Sequence, residues 1–196
     1  MIAKGDWVGY YDEQGDREPR DLLLEVLAAF DREGRVGEAV DLGAGQGLES
    51  AELLRRGWTV TAIDAEPDGI RRLEERAGDV GSRLRTLVSR IEDAEWPSVD
   101  LIHAAYSLPF CPPRAFPSVW RRILDSLRPG GRFAGELFGD RDTWASTEPD
   151  MTFFDEADAR ALFDGLELES FVEEEKDEDG WDESKHWHVF HVVARR

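Results

Sequence analysis

Three glycines at alternate positions, Gly43, Gly45 and Gly47, stand in the run Val40-Asp41-Leu42-Gly43-Ala44-Gly45-Gln46-Gly47, directly after a short apolar stretch. Side chains at those positions would block a molecule lying against the main chain, so the loop invites a ligand to approach backbone. A dinucleotide loop carries G-x-G-x-x-G, because a pyrophosphate must rest on the N-terminus of the following helix. Here Leu48 takes the place of that third glycine.

Asp41 sharpens the distinction. A carboxylate two residues before the first glycine suits a phosphate poorly; it suits a ligand whose near end carries an ammonium and a sulfonium. Asp64 follows about 20 residues beyond Gly43, at the end of the next apolar run. An acid there can accept both ribose hydroxyls of an adenosine, and its charge disfavours a 2′-phosphate. Ser89-Arg90-Ile91-Glu92-Asp93-Ala94 then sets two acids where an adenine amino group can be met, with Asp93 preferred and Glu92 next.

The elements that must position these groups can be read from hydrophobic spacing. Glu18 to Phe30 predicts an amphipathic helix opened by Pro19, with Leu23, Val26, Leu27 and Phe30 on one face. Strands are expected at Glu38–Leu42, Trp58–Ile63, Leu84–Val88, Val99–Ala104 and Arg132–Phe138, and helices at Leu48–Arg56, Pro67–Ala77 and Arg114–Leu127. Arg128-Pro129-Gly130-Gly131 reads as a turn before the fifth strand. After the polar loop Gly139–Thr152 come a helix near Asp155 and a hairpin, Leu166–Glu174 and Lys185–Ala194, joined by an acidic turn around Asp177-Glu178-Asp179-Gly180. Strands alternating with helices imply an α/β fold: a doubly wound, mostly parallel seven-stranded sheet, helices on both faces, closed by a C-terminal antiparallel hairpin. Ligands of such sheets bind at the carboxyl ends of the strands, where strand order reverses.

With loop, spaced acid and Pro-Gly-Gly turn in this order, the chain resembles the class I (Rossmann-like) S-adenosylmethionine-dependent methyltransferases. Val40–Gly47 resembles their first motif, Ala62-Ile63-Asp64 their second, and Leu127–Gly131 the turn before their fifth strand. Leu108–Pro113, Leu137–Arg141 and Lys185–His188 resemble small bacterial enzymes near the tellurite-resistance methyltransferases. The resemblance implies S-adenosylmethionine as cofactor, held by Asp41, Gly43, Ala44, Gly45, Asp64, Ala65, Glu92, Asp93 and backbone at Ala104 and Ala105, and a small-molecule methyl acceptor. Arg20 is a candidate partner for the carboxylate of the cofactor's methionine moiety, the alternative being a solvated helix-start arginine.

Methyl transfer is an in-line displacement on an already activated carbon, so the enzyme mainly aligns the acceptor and excludes water. Acceptor-side candidates are Tyr11, Tyr106 and His186. Trp7, Tyr10 and Tyr11 either fold over the cofactor as a lid or simply pack. In the strand Lys185–His191, His186 and His188 share one face while Trp187 and His191 take the other. That split leaves a poor ligand set, so no metal is expected. Lys185 and His186 can both reach the acceptor from the start of this strand, His186 as a possible base or anion-binding group, the alternative being satisfied polar residues at a strand start. Cys111, between Phe110 and two prolines, reads as packing. A nucleotide-binding oxidoreductase fails on loop spacing and on Asp41; a non-catalytic binding or regulatory protein that kept the cofactor site is the other alternative.

The 196 residues suit one domain, with 1–37 as N-terminal cap and first helix, 38–138 as cofactor-binding core and 139–196 as C-terminal helix and hairpin. The formal charge of −19, from 24 basic and 43 acidic residues, repels phosphate backbones and anionic lipid, so neither nucleic acid nor membrane is an expected partner. No apolar run reaches the roughly 18–20 residues of a membrane span. Met1–Asp6 lacks a secretion signature, and the lone Cys111 excludes an intrachain disulfide; a cytoplasmic location is expected. The oligomeric state is left open.

Overall fold

The computed structural model describes residues 6–179 and 184–196. The tip of the expected acidic turn, Gly180, and the first five residues on which the absence of a signal was read lie outside the described residues.

The chain runs α1 (Trp7–Gln14), α2 (Asp21–Arg32), β1 (Glu38–Leu42), α3 (Leu48–Arg55), β2 (Thr59–Asp64), α4 (Pro67–Ala77) and β3 (Leu84–Val88). It continues through β4 (Val99–Ala104), α5 (Phe116–Ser126), β5 (Leu127–Gly139), β6 (Phe153–Phe154), α6 (Glu156–Ala161), β7 (Glu167–Asp179) and β8 (Ser184–Arg195). The sheet order is β3-β2-β1-β4-β5-β8-β7. β1 to β5 are mutually parallel and β8 is antiparallel to both β5 and β7. The seven expected strands form this path. An eighth corrects the expected count: β6 pairs parallel with Phe138 and Gly139 of β5, on the edge left free where β4 has ended. Two residues just after the polar loop carry no periodicity from which to read a strand.

The central strands are buried on both faces. On β1, Ala39 packs with Leu23, Val26 and Phe30 of α2 and with the apolar residues of α3 and α4. Val40 and Leu42 turn to the other side, toward Val119, Trp120 and Ile123 of α5. Burial on both faces explains why these strands read as apolar runs rather than alternating ones.

Four expectations need correction. α2 begins at Asp21, not Glu18, because Arg20 keeps an extended backbone (φ −65°, ψ 146°) and serves as the cap. It runs on to Arg32 because no stop signal precedes Gly34. The N-terminal segment contains a helix of its own, α1, whose start is capped by the Asp6 carboxylate accepting from the Gly9 amide at 3.0 Å. The Pro-Gly-Gly turn lies inside β5: Leu127 pairs with Val99 and Arg132 with Leu101, so the residues between loop out opposite Asp100.

Among the described residues, no helix is long and apolar enough to cross a membrane.

Candidate functional site

β1 is flanked by β2 on one side and β4 on the other, so the strand order reverses between β1 and β4. The glycine loop leaves β1 at that point, as the switch-point rule requires. Gly43, Gly45 and Gly47 all have left-handed backbones, with φ of 74°, 52° and 80°. A Cβ on Gly43 would lie 2.3 Å from Cβ of Ser107, and one on Gly45 would lie 3.1 Å from the Tyr11 ring. The loop is thus pinched between the chain after β4 and helix α1, and only glycine fits.

Asp64 closes the loop from the end of β2. One carboxylate oxygen accepts the Gly45 amide at 2.7 Å and the other the Glu66 amide at 2.8 Å. Burial raises its pKa above the ordinary value, against the pull of those two amides. Each oxygen has a second lone pair free, so a pair of hydroxyls can still be accepted.

Asp41 is 2% exposed and already doubly partnered. Nδ1 of His103 lies 3.0 Å from Oδ1, and the Ser50 hydroxyl donates to Oδ2 at 2.6 Å. Both partners escaped the sequence reading. The signal for His103 was there: it is the ionisable residue in the apolar stretch Leu101–Ala104, and β1–β4 register sets it opposite Asp41. Its Nε2 is buried without a partner.

A large cleft of about 1580 Å³ opens over these residues. Asp41, Gly43, Ala44, Gly45, Asp64, Ala65, Glu92, Arg20, Tyr11 and Tyr106 all line it. Three expected residues do not. Asp93 faces solvent, and of the pair it is Glu92 that faces the cleft, held by Arg90 Nε at 2.6 Å. Of the expected pair Ala104 and Ala105, Ala104 is wholly buried within the sheet and Ala105 lines the cleft. His186 stands on the face of β8 opposite the cleft-lining Lys185, Trp187 and Val189, where Asp177 (2.7 Å) and Glu175 (3.0 Å) hold it. Strand alternation decides this: moving one residue along turns the side chain to the other face.

Arg20 reaches into the cleft from the start of α2. Its guanidinium lies 4.5 Å over the Tyr106 ring, and its Nε is buried without a hydrogen-bond partner. A buried, unpartnered cationic donor beside a backbone-lined cradle fits a ligand carboxylate. With Asp64 at the far side, the residues present fit a ligand that has a ribose at one end and an amino acid at the other.

Tyr11, expected on the acceptor side, packs instead on Gly45, against the glycine loop. Burial, then the charge of Asp64, raises its phenol pKa, so it stays protonated. Tyr106 is the one described non-glycine residue with positive φ (52°), and its amide donates to the buried Glu136 carboxylate at 3.2 Å. Burial and the Glu136 charge push its phenol up to about 12. Neither tyrosine is poised as a base. Cys111 is buried, its thiol pushed up to about 11 by desolvation, and packs against the core cluster around α5. Glu173, Glu175 and His188 come within 4.8 Å of one another on the outer face of the hairpin, where the Arg141 guanidinium pairs with both glutamates.

A family model described as a methyltransferase domain matches residues 39–131. A methyltransferase of Claviceps purpurea is 35% identical over 145 residues, covering 71% of this chain and 44% of its own length. The chain therefore spans less than half of that curated relative. The crystal structure of TehB from Haemophilus influenzae superposes with a TM-score of 0.78 at 19% identity, covering 95% of this chain and 66% of that one. The 1,6-didemethyltoxoflavin-N1-methyltransferase of Burkholderia thailandensis, solved with its acceptor and S-adenosylhomocysteine, gives a TM-score of 0.61 at 22% identity, covering 100% and 87%. The chain thus has the Rossmann-like methyltransferase fold of these solved structures, and its residues 39–131 match a methyltransferase domain.

Proposed function

We propose that the protein transfers a methyl group from S-adenosylmethionine to a small-molecule acceptor. The observation that carries this reading is the unpartnered Arg20 Nε, buried beside a glycine cradle that is closed by Asp64. When bound, the cofactor supplies a methyl group on a sulfonium, already activated for displacement. Arg20 holds the carboxylate end, Asp64 accepts the ribose hydroxyls and Glu92 meets the purine edge. Asp41, fixed by His103 and Ser50, presents negative charge under the loop. Tyr106 and the rings around it exclude water and orient the acceptor.

In this reading the N-terminal cap, core and hairpin act as one unit. The TehB and didemethyltoxoflavin enzymes support a small acceptor by their fold, as does the acidic surface that disfavours nucleic acid. Calorimetric titration with S-adenosylmethionine tests the reading. Wild type is expected to bind, and Asp64→Ala to bind at least tenfold more weakly. A folded wild-type protein that gives no binding heat would sink the proposal.

A further inference from the structure

The half of the cleft away from the glycine loop is walled by rings. Trp7 of α1 lies edge-on to Phe110 with centroids 5.1 Å apart, Phe110 faces Trp144 at 6.3 Å, and Trp144 meets Trp187 of β8 at 5.3 Å. All four are only half-buried, leaving ring surface turned to the cleft. At about 1580 Å³ the cleft exceeds the roughly 300–1,000 Å³ of a small-molecule pocket, so a second organic molecule fits beside one lying along the loop.

The ammonium of Lys185 sits in this wall. Nζ of Lys185 lies 4.2 Å from the Trp144 ring centroid and 4.3 Å from that of Trp187. It donates to the Asp142 carboxylate and, at 3.2 Å, to the His186 carbonyl. The Asp142 side chain is 0% exposed and that of Lys185 is 10% exposed, so the pair turns its positive end toward the cleft. The indole of Trp187 is itself oriented, donating to Glu178 at 2.9 Å, and Lys176 pairs with the same glutamate. Two indole faces are the preferred seat of a cation, and here the chain supplies its own. A cationic acceptor meets a filled cage and a like charge. A flat ring with an acidic substituent meets exposed rings and an ammonium.

Resting on the methyl-transfer reading above, we propose that the acceptor is a planar aromatic acid, lying against the Trp144–Trp187 wall with its anionic edge toward Lys185. The wall then sets acceptor choice, while the glycine loop sets the donor.

The test uses calorimetry on full-length protein saturated with S-adenosylhomocysteine, with 6-hydroxy-2-naphthoate, tyramine and selenite as probes. The naphthoate is expected to bind at least tenfold more tightly than tyramine or selenite. Trp187→Ala and Trp144→Ala should each weaken it tenfold or more with S-adenosylhomocysteine affinity retained, and Lys185→Met should erase the preference over tyramine. Trp144 lies in the short helical turn Thr143–Ser146, outside the sheet, so its variant carries the test if the strand variant fails to fold. Tyramine or selenite binding as tightly as the naphthoate, no naphthoate binding, or naphthoate affinity indifferent to the tryptophans overturns the acceptor class while leaving methyl transfer standing. Loss of S-adenosylhomocysteine binding in the wild type overturns both, and is read in the cofactor titration alone.

Discussion

His103 and Asp41 face each other across the β1–β4 pairing, Nδ1 to Oδ1 at 3.0 Å, with almost no solvent contact on either side chain. Burial opposes protonation of the imidazole most strongly, yet the Asp41 hydrogen bond and charge, with Glu49 and Glu136 nearby, hold its pKa above the ordinary 6.5. A raised folded pKa contributes stability that is complete below the unfolded value and is lost as pH rises through the folded one. His103→Leu should therefore cost about 3–5 kcal/mol at pH 6, the cost of stripping one partner from a buried charged pair. The difference from wild type should narrow toward pH 9. Urea unfolding at the two pH values measures it; a gap that widens with pH contradicts the pairing.

Arg20 gives the sharpest cofactor prediction. Removing a charge-assisted hydrogen bond costs about 1.5–3 kcal/mol, roughly ten- to a hundredfold in Kd. Arg20→Leu should weaken S-adenosylhomocysteine binding by that factor and lower the unfolding midpoint only by what the Nη2 contact to the Tyr10 hydroxyl at 3.4 Å and the stacking on Tyr106 contribute, since its Nε makes no bond within the protein. Equal affinity in the two proteins would remove Arg20 from the cofactor site.

Tyr106 is expected to act through its ring and not its hydroxyl. With the phenol held at about 12, Tyr106→Phe should change S-adenosylhomocysteine affinity less than threefold, because the platform under the Arg20 guanidinium persists. Tyr106→Ala removes that platform, worth about 0.5–2 kcal/mol, and should weaken binding roughly two- to thirtyfold. Isothermal titration of the two variants side by side separates these roles.

Helix α1 is latched to the core by acid–base pairs. Arg17 and Glu49 lie 2.7 Å apart, Arg72 pairs with Asp12 and Arg76 with Asp16, each at 2.7 Å. Glu49 is the buried member: burial works to raise its pKa, but the Arg17 hydrogen bond and nearby positive charge leave it below the ordinary 4.5. A depressed carboxylate contributes stability that is present above the unfolded pKa and lost as pH falls through the folded one. Hydrogen exchange in residues 7–14 should therefore speed up, relative to the sheet, as pH is lowered below about 4.5, after correction for intrinsic rates. Glu49→Gln should show the faster exchange already at pH 7.

Much of the fold was legible because its signals are local. Pro67 opening α4 and Gly78 closing it, and the β-branched run of β2, say the same thing as the tertiary structure. Gly43, Gly45 and Asp64 were legible as a site because loop and acid lie on adjacent parallel strands, where sequence order translates directly into position. The misses share one cause, dependence on distant partners. α1 has a weak apolar pattern of its own and lies on α4 through Arg72 and Arg76. Glu92 and Asp93 differ by one position, and the short helical turn at Ile91–Asp93 decides which one meets the cleft. Lys185 and His186 were both expected on the acceptor side, but they differ by one position on a strand, and register leaves only Lys185 toward the cleft. Trp144 stood in a polar loop with nothing in its neighbours to say that Trp187, more than forty residues on, would meet it.

The ladder between β5 and β8 stops at Phe138 and Val189, whereas β7 and β8 stay paired on to Asp179 and Ser184. The ribbon that carries Lys185 and Trp187 is thus cantilevered beyond the sheet, tied back by Asp142 and by Thr143, whose hydroxyl accepts the His186 amide at 2.9 Å. A change of length or residue in that overhang leaves every rung of the parallel core in place. On the methyl-transfer reading proposed above, descendants of such a chain can trade one client molecule for another by rewriting a ribbon and a loop, while the residues assigned to the donor pass on unaltered.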